Sequence, residues 1–123
     1  MTKYNLGIMR NPIIDGTSTY DEEVNNGNSG TSKIINWILG NRQKITLTGA
    51  PCVFTFTAPP FPAVLTLKLI QGSGGSKTVT WPATVKWVAR TAPTLTTNAG
   101  YIDIVGLYFD GANYYTTASL NFG

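Results

Sequence analysis

The sequence predicts an all-β protein, a single jelly-roll-like β-sandwich domain with an extended N-terminal arm. Runs of alternating apolar and Thr or Lys residues recur about every ten residues, with Gly, Pro and Asn between them, as in sandwiches and barrels. Only 12% of residues are charged although 42% are hydrophobic, so Thr, Asn, Ser and Gly supply most of the surface polarity. With 123 residues, the chain has the length of one domain.

We expect the chain to divide into an arm over residues 1–31 and a β-sandwich over residues 32–123. Pro12 and Gly16 interrupt any helix in the first segment, and residues 25–30 have the Asn, Gly and Ser composition of a turn or linker. The scattered apolar residues of an extended arm need a surface on which to dock, either this domain or an adjacent subunit. A disordered segment is the alternative interpretation.

Four runs in the middle of the chain have the period-two pattern of half-buried strands, with apolar side chains on one face. Pro59, Pro60 and Pro62 end one of these strands, because proline cannot lie within a central strand. The Gly- and Ser-rich residues 72–76 predict a hairpin loop. The apolar positions of the four strands are Ile45 and Leu47, Phe54 and Phe56, Leu65, Leu67 and Leu69, and Val79 and Trp81.

Three further regions of the chain complete the predicted elements. Residues 34–39 fit either a helical turn or a buried strand, and we favour the strand. Within residues 101–109 the apolar positions change from even to odd numbers, which predicts a β-bulge at Gly106. Asp110 and Gly111 then predict a hairpin that leads into a last strand over about residues 114–122.

The charges are distributed unevenly along the chain. Residues 1–23 contain four acidic and two basic residues, a net charge of −2, whereas residues 24–123 contain seven basic and two acidic residues, a net charge of +5. An acidic segment on a basic body can pair with its own domain or with a neighbouring copy, and a solvated tail is an equally open interpretation. The total of +3 is too small to indicate nucleic-acid binding.

The sequence offers few groups for catalysis or metal binding. It has no histidine, and its single cysteine, Cys52, lies in a strand pattern that favours a buried, inert thiol over a nucleophile. After residue 23 the carboxylates are Asp103, predicted to face solvent or a subunit contact, and Asp110, predicted to lie in a turn. We therefore expect no enzyme activity, no catalytic residue, no metal site and no cofactor.

Membrane association is not expected either. The longest nearly apolar run, residues 34–39, is too short to span a bilayer. The first residues lack the basic-then-apolar pattern of a secretory leader, so we expect synthesis and assembly in a cytoplasm.

Four aromatic residues near the C-terminal half stand out as core or subunit-seam residues: Trp81, Trp87, Tyr114 and Tyr115. Aromatic side chains can also form a stacking platform for sugars or single-stranded nucleic acid, but core packing and a subunit interface are the favoured interpretation. Since Tyr114 and Tyr115 are adjacent on a predicted strand, only one of them can face the core.

Residues 43–122 resemble a module that is common in structural proteins of tailed bacteriophages. The order of the motifs carries the resemblance more than any single one does. In place of the Gly-Gly that relatives often have after the second tryptophan, this chain has Val88-Ala89-Arg90. The matching motifs are Lys44-Ile45-Thr46-Leu47-Thr48, Phe54-Thr55-Phe56, Leu65-Thr66-Leu67-Lys68-Leu69, Thr78-Val79-Thr80-Trp81-Pro82, Val85-Lys86-Trp87, Pro93-Thr94-Leu95-Thr96, Ile102-Asp103-Ile104 and Asp110-Gly111 with Tyr114-Tyr115.

The resemblance implies a non-enzymatic virion protein, assembled in the host cytoplasm. A short arm with a β-domain favours a capsid decoration (cement) protein, a homotrimer on the head surface that binds the major capsid protein. The alternative is a tail-fibre or receptor-binding module that recognises host surface glycans. Neither function implies binding to nucleic acid or to a membrane. The expected capsid or subunit contacts of the arm are Ile8, Met9, Ile13, Ile14, Asp15, Tyr20, Asp21, Glu22 and Glu23.

Overall fold

The computed structural model describes residues 15–17, 19 and 22–123. This part of the chain forms nine strands and two single-turn 3-10 helices, Trp37–Leu39 and Val88–Arg90. The strands are β1 (Val24–Asn28), β2 (Ser32–Asn36), β3 (Arg42–Leu47), β4 (Cys52–Thr57), β5 (Ala63–Gln71), β6 (Val79–Thr80), β7 (Val85–Trp87), β8 (Ile102–Phe109) and β9 (Tyr114–Phe122).

The strands form two sheets, a larger one of six strands and a smaller one of three. The order in the larger sheet is β1-β3-β5-β8-β9-β7, and the order in the smaller sheet is β2-β4-β6. From β1 to β6 the chain therefore alternates between the sheets, and the neighbours it forms within each sheet are parallel. This part of the chain winds as a coil of three turns. Antiparallel pairing begins only where β8 joins β5 and β9 joins β8.

The predicted all-β architecture is confirmed, whereas the jelly-roll arrangement is not. Jelly rolls are antiparallel double sheets, and here the smaller sheet is entirely parallel. The prediction rested on alternation of apolar and polar residues. Alternation reports that a strand is half-buried but says nothing about its direction, which depends on the sheet that each connection leads to.

One hydrophobic core lies between the two sheets. The smaller sheet contributes Phe54, and the larger sheet contributes Leu67 and Val105, all almost fully buried. Cys52 is also fully buried and unpaired, as predicted. The buried apolar set comprises Ile35, Trp37, Ile45, Leu47, Cys52, Phe54, Leu65, Leu67, Leu69, Val85, Val105, Leu107, Phe109 and Tyr114.

Part of the segment predicted as an arm belongs to the domain. Strand β1 lies at the edge of the larger sheet, with Val24 opposite Gln43. The Asn26 side-chain amide donates to Gln43 Oε1 at 3.0 Å and to the Lys44 carbonyl at 3.1 Å. Residues 24–28, which lie within the segment predicted as an arm over residues 1–31, therefore belong to the larger sheet. The Asn and Gly composition that suggested a linker serves here for side-chain pairing along a sheet edge.

Residues 34–39 combine both of the predicted alternatives. Ile34 and Ile35 belong to strand β2, and the chain then turns into the 3-10 helix Trp37–Leu39. The Asn36 side chain caps this helix, because its Oδ1 accepts a hydrogen bond from the Ile38 amide at 3.0 Å. The favoured strand is thus correct only for the first half of the segment.

The glycine-rich residues 72–76 do not form the predicted hairpin loop, because β5 leads to β6 in the other sheet. The backbone crosses close to the preceding turn of the coil. The Gly72 amide donates to the Leu47 carbonyl at 3.0 Å, and a Cβ at this position would lie 2.1 Å from that oxygen. Gly72 is therefore required for close backbone packing between turns of the coil and not for reversing a hairpin.

The predicted β-bulge at Gly106 is wrong. Strands β5 and β8 pair without interruption, and Gly106 lies opposite Thr66. The irregularity lies instead between β8 and β9, where Ile102 pairs with Phe122 but Ile104 pairs with Ser119, so β9 contains one extra residue. The hairpin at Asp110 and the last strand over residues 114–122 agree with the prediction.

Candidate interaction surfaces

Four exposed apolar side chains, here called the apolar tip, lie at the end of the two sheets where β2 and β4 end and β3 and β5 begin. The tip consists of Ile38 and Leu39 in the first 3-10 helix, Phe61 in the loop before β5, and Val64 in β5. These side chains are 61%, 64%, 52% and 68% exposed. The Thr66 amide donates to the Asn41 carbonyl at 2.8 Å, which holds the end of the helical turn beside the start of β5.

The outer face of the larger sheet, which points away from the core, is the second notable surface. One row across this face contains Val64, Tyr108 and Tyr115, which lie directly opposite one another on β5, β8 and β9. All three are more than half exposed. Gly106 leaves a gap beside this row, between Thr66 and Thr117. The outer face is therefore partly aromatic and lacks a side chain near its centre.

The charged side chains on the outer face are mostly basic. Arg42, Lys44 and Lys68 project from β3 and β5, and Lys86 projects from β7 beside Tyr115. Glu23 reaches over β3, where its Oε1 lies 3.1 Å from Lys68 Nζ and 3.9 Å from Lys44 Nζ. These contacts are about one-third exposed and contribute little stability. They show that the residue before β1, Glu23, lies over the outer side of β3 and reaches β5.

Three of the four predicted aromatic site residues lie in one cluster. Trp81 packs edge-to-face on Trp87, with ring centroids 5.2 Å apart, and on Phe54, at 5.4 Å. Tyr114 is buried and packs against Phe56 at 5.1 Å. Edge-to-face geometry is favourable for aromatic rings. Ring surfaces that pack against one another in this way are not available to stack on a ligand. The cluster therefore belongs to the core.

Tyr115, the fourth predicted aromatic residue, is 51% exposed on the outer face. Of the predicted arm contacts, Asp15 and Glu22 are exposed, and Glu23 pairs with lysines of its own domain. The other six, Ile8, Met9, Ile13, Ile14, Tyr20 and Asp21, lie outside the described residues.

Asp103 was predicted to face solvent or a subunit contact. This prediction is wrong, because the residue is buried and only 4% exposed. Its Oδ2 accepts from the Thr96 amide at 2.8 Å, and its Oδ1 accepts from the Thr96 hydroxyl at 2.6 Å and the Asn121 amide at 3.0 Å. The β9 irregularity gives Asn121 a φ of 72° and directs its amide to this carboxylate. The prediction assumed that Ile102 and Ile104 face the core and that Asp103, between them, faces outward, but Asp103 shares the core face with Val105.

Gln71 has a similar structural role that the sequence did not reveal. This 4% exposed side chain donates to the Thr96 carbonyl at 2.8 Å and the Lys77 carbonyl at 3.2 Å, and accepts from the Lys77 amide at 2.9 Å. It ties the loop after β5 to the loop before β8. The sequence contained one signal for this role: Gln71 follows Leu65, Leu67 and Leu69 at the same spacing of two, which places it on the core face.

An open cleft of about 260 Å³ lies beside these loops, lined by residues that include Lys77, Trp81, Pro93 and Leu95. Among the described residues, no group of three or more Cys, Asp or Glu side chains is arranged to hold a metal ion. Over the same residues, no helix has the length and apolarity needed to cross a membrane.

The second 3-10 helix, Val88–Arg90, has an unusual backbone. Ala89 has a φ of 55° and Arg90 has a φ of 61°. This left-handed region favours glycine, because a Cβ crowds the backbone there. Two consecutive non-glycine residues, Ala89 and Arg90, therefore adopt a backbone conformation that glycine adopts more readily.

Comparison with protein-family models, curated proteins and solved structures gives no significant match for this chain.

Proposed function

We propose that the protein is a non-enzymatic structural protein of a bacteriophage virion, a capsid decoration protein that attaches to the major capsid protein and stabilises the shell. The observation that carries this proposal is the apolar tip at the end where the chain enters the domain. The motif order that resembles phage structural modules supplies the class of particle. Trimeric assembly on the head surface is part of the same proposal.

The tip has the properties of a contact surface. Leu39, Phe61 and Val64 are each more than half exposed, and large exposed apolar side chains grouped at one end of a soluble protein are typical of an interaction site. Full burial of one such side chain is worth about 1.5–3 kcal/mol. Binding through several of them, repeated over many copies on one shell, would stabilise the assembled head by mass action.

The N-terminal segment leaves the domain at the same end. Strand β1 runs parallel to β3, and β3 begins directly after the first 3-10 helix. Residues before Val24 therefore start beside the tip. An arm that extends from this position can contact the same capsid surface as the tip, which supports the predicted role of the arm.

The carboxylates after residue 24 have structural partners. Asp103 is held by three hydrogen-bond donors inside the protein, and Asp110 accepts from the Ala112 and Asn113 amides at 2.8 Å in the β8–β9 turn. A pair of carboxylates placed for acid–base catalysis would need to face a common ligand. These two residues satisfy local backbone groups instead, which supports a binding function over an enzymatic one.

Binding to purified heads that lack the protein tests this proposal. We expect Leu39→Asp and Phe61→Asp to weaken co-sedimentation with heads at least tenfold, because each places a charge in the contact. Val53→Asp is the matched control, since Val53 is 45% exposed on the outer side of the smaller sheet. Unchanged binding by both tip variants, with folding verified by circular dichroism, would contradict a contact through the tip.

The alternative function, recognition of host glycans by a tail-fibre module, is favoured by one observation. Tyr108 and Tyr115 are exposed and directly opposite each other on the outer face, and paired aromatic rings can stack on sugars. A glycan array distinguishes the two functions. Binding to a host polysaccharide that is lost in Tyr108→Ala would favour the fibre module, and an absence of glycan binding would count against it.

A further inference from the structure

We propose that the open cleft beside β6 binds a short, extended, acidic peptide segment of a partner protein, which adds as a strand to the free edge of the smaller sheet. The cleft has a volume of about 260 Å³ and is lined from within residues 76–81 and 92–97. Strand β6 is parallel to β4, so the residues before β6 lie at the end opposite the apolar tip. The inference therefore goes beyond attachment through the tip and does not depend on it.

The two chain segments that line the cleft are joined at one end and then separate. The Ser76 amide donates to the Thr97 carbonyl at 2.8 Å. From this hydrogen bond one segment continues forward into β6, whereas the other leads back along the chain to Ala92. Residues 91–97 contain no turn, bend or helix, and among the described residues no backbone hydrogen bond joins residues 92–95 to β6. The cleft is therefore the opening between two extended segments that are antiparallel but not paired.

Strand β6 presents backbone groups at its free edge. It is the last strand of the smaller sheet, next to β4. Cys52 lies opposite Val79, and the Cys52 amide donates to the Thr78 carbonyl at 2.8 Å. In a parallel pair the residues on either side of position 79 therefore bond to β4, and the amide and carbonyl of Val79 point to the other edge. In the described part of the chain these two groups have no partner, and such an edge is a template for a further strand.

The segment across the cleft offers a second set of backbone groups. Within the described residues, the backbones of Ala92, Thr94 and Leu95 take part in no hydrogen bond. Pro93 has no N–H group to pair. Extended backbone with open donors and acceptors therefore lines the cleft on this side as well as at β6. A peptide strand in the cleft would give both sets of groups a partner, which a ligand without a peptide backbone would not do.

Apolar side chains form the floor of the cleft. Val79, Trp81 and Leu95 line it, are half-buried and pack against the core. They provide an apolar contact for alternate side chains of an added strand. The volume of about 260 Å³ lies just below the range of roughly 300–1,000 Å³ for small-molecule sites. The cleft therefore takes a few residues of an extended chain and not a helix or a folded partner.

Charge indicates the composition of the peptide. Lys77 is the one charged residue among those that line the cleft, and the buried Gln71 side chain holds its amide at 2.9 Å and its carbonyl at 3.2 Å. Among the described residues no carboxylate forms an ion pair with Lys77, and Asp103, on the core side of Thr96, already accepts three hydrogen bonds. A carboxylate of the peptide would pair with this ammonium group. Since Lys77 precedes β6, a peptide antiparallel to β6 places its C-terminal end there.

Titration of the folded protein with synthetic peptides tests the proposal. The probe is a pentapeptide, capped at both ends, that alternates Thr and Val and ends in Glu, and its counterpart ends in Lys. At millimolar peptide, two-dimensional NMR should show shifts of the Val79, Thr94 and Leu95 amide signals and of the Trp81 indole signal. We expect the Glu peptide to bind about three- to fivefold more tightly than the Lys peptide, the factor expected of one partly exposed ion pair.

Two variants and a modified peptide supply the controls. Lys77→Gln should abolish the preference for the Glu peptide, whereas Lys33→Gln, on β2 at the opposite edge of the smaller sheet, should leave it unchanged. Methylation of every backbone nitrogen of the Glu peptide should weaken binding at least tenfold, because strand addition uses those N–H groups. Equal binding of the methylated peptide, shifts confined to residues outside the cleft, or an absence of saturable binding would overturn the proposal. Since no heads are present, these outcomes are separate from those of the capsid-binding experiment.

Discussion

Removing the Asp103 carboxylate should destabilise the fold far more than its position on a strand suggests. In Asp103→Ala, the amides of Thr96 and Asn121 and the Thr96 hydroxyl all lose their acceptor. A buried donor without a partner costs about 1–3 kcal/mol. Thr96 is half-buried and Asn121 is exposed, so water can replace part of the loss. We expect a total of about 3 kcal/mol.

Two milder variants separate the contributions of the individual hydrogen bonds to this loss of stability. Asp103→Asn keeps one acceptor oxygen but places an amide group opposite one of the donors, and should cost about 1–2 kcal/mol. Thr96→Val removes only the hydroxyl hydrogen bond, for about 1 kcal/mol. Urea denaturation followed by tryptophan fluorescence measures all three, and Asp103→Ala should lower the melting temperature by roughly 10–15 °C. Glu22→Gln, at an exposed position, is the control. A loss below about 1 kcal/mol for Asp103→Ala would refute the structural role of this carboxylate.

Two further predictions concern the loops. Hydrogen bonds from the Asn113 and Ala112 amides hold the pKa of Asp110 below its ordinary value of 3.8. Its contribution to stability is therefore present above pH 3.8 and is lost as the pH falls through the lower pKa of the folded state. A carboxyl NMR titration measures this shift, and a midpoint at or above 3.8 would contradict it. Ala89→Gly should raise the free energy of unfolding by about 0.5–1 kcal/mol, because glycine adopts its positive φ without strain. Ala92→Gly is the control, and equal destabilisation by both would show that the left-handed conformation is absent.

The strands of the middle of the chain could be predicted because their patterns are unambiguous. Phe54 is buried between exposed neighbours, and Leu65, Leu67 and Leu69 are buried with half-buried residues between them. The alternation of side chains across a strand is a local property, so a single sequence reveals it. The arrangement of these strands as parallel turns of a coil depends on where each loop leads, and no local pattern contains that information.

The polar groups explain most of the remaining errors. Asp103 was assigned to the surface because its parity is opposite to that of Ile102 and Ile104, but it faces the core, where the loop before β8 and the irregular end of β9 supply its hydrogen-bond donors. Asn26 was assigned to a linker because of the Asn and Gly residues around it, but its side chain pairs with Gln43 at the edge of the larger sheet. The aromatic cluster could be predicted from the sequence, whereas the apolar tip could not, because two separate segments, residues 38–39 and 61–64, come together to form it.

Immunogold localisation on purified virions, with antibodies raised against the folded domain, tests the central claim most directly. A decoration protein should give label distributed over the whole head surface, and heads assembled without the protein should be unlabelled and should disassemble at lower temperature. Label confined to the tail tip, or particles that carry no label at all, would contradict the proposed function.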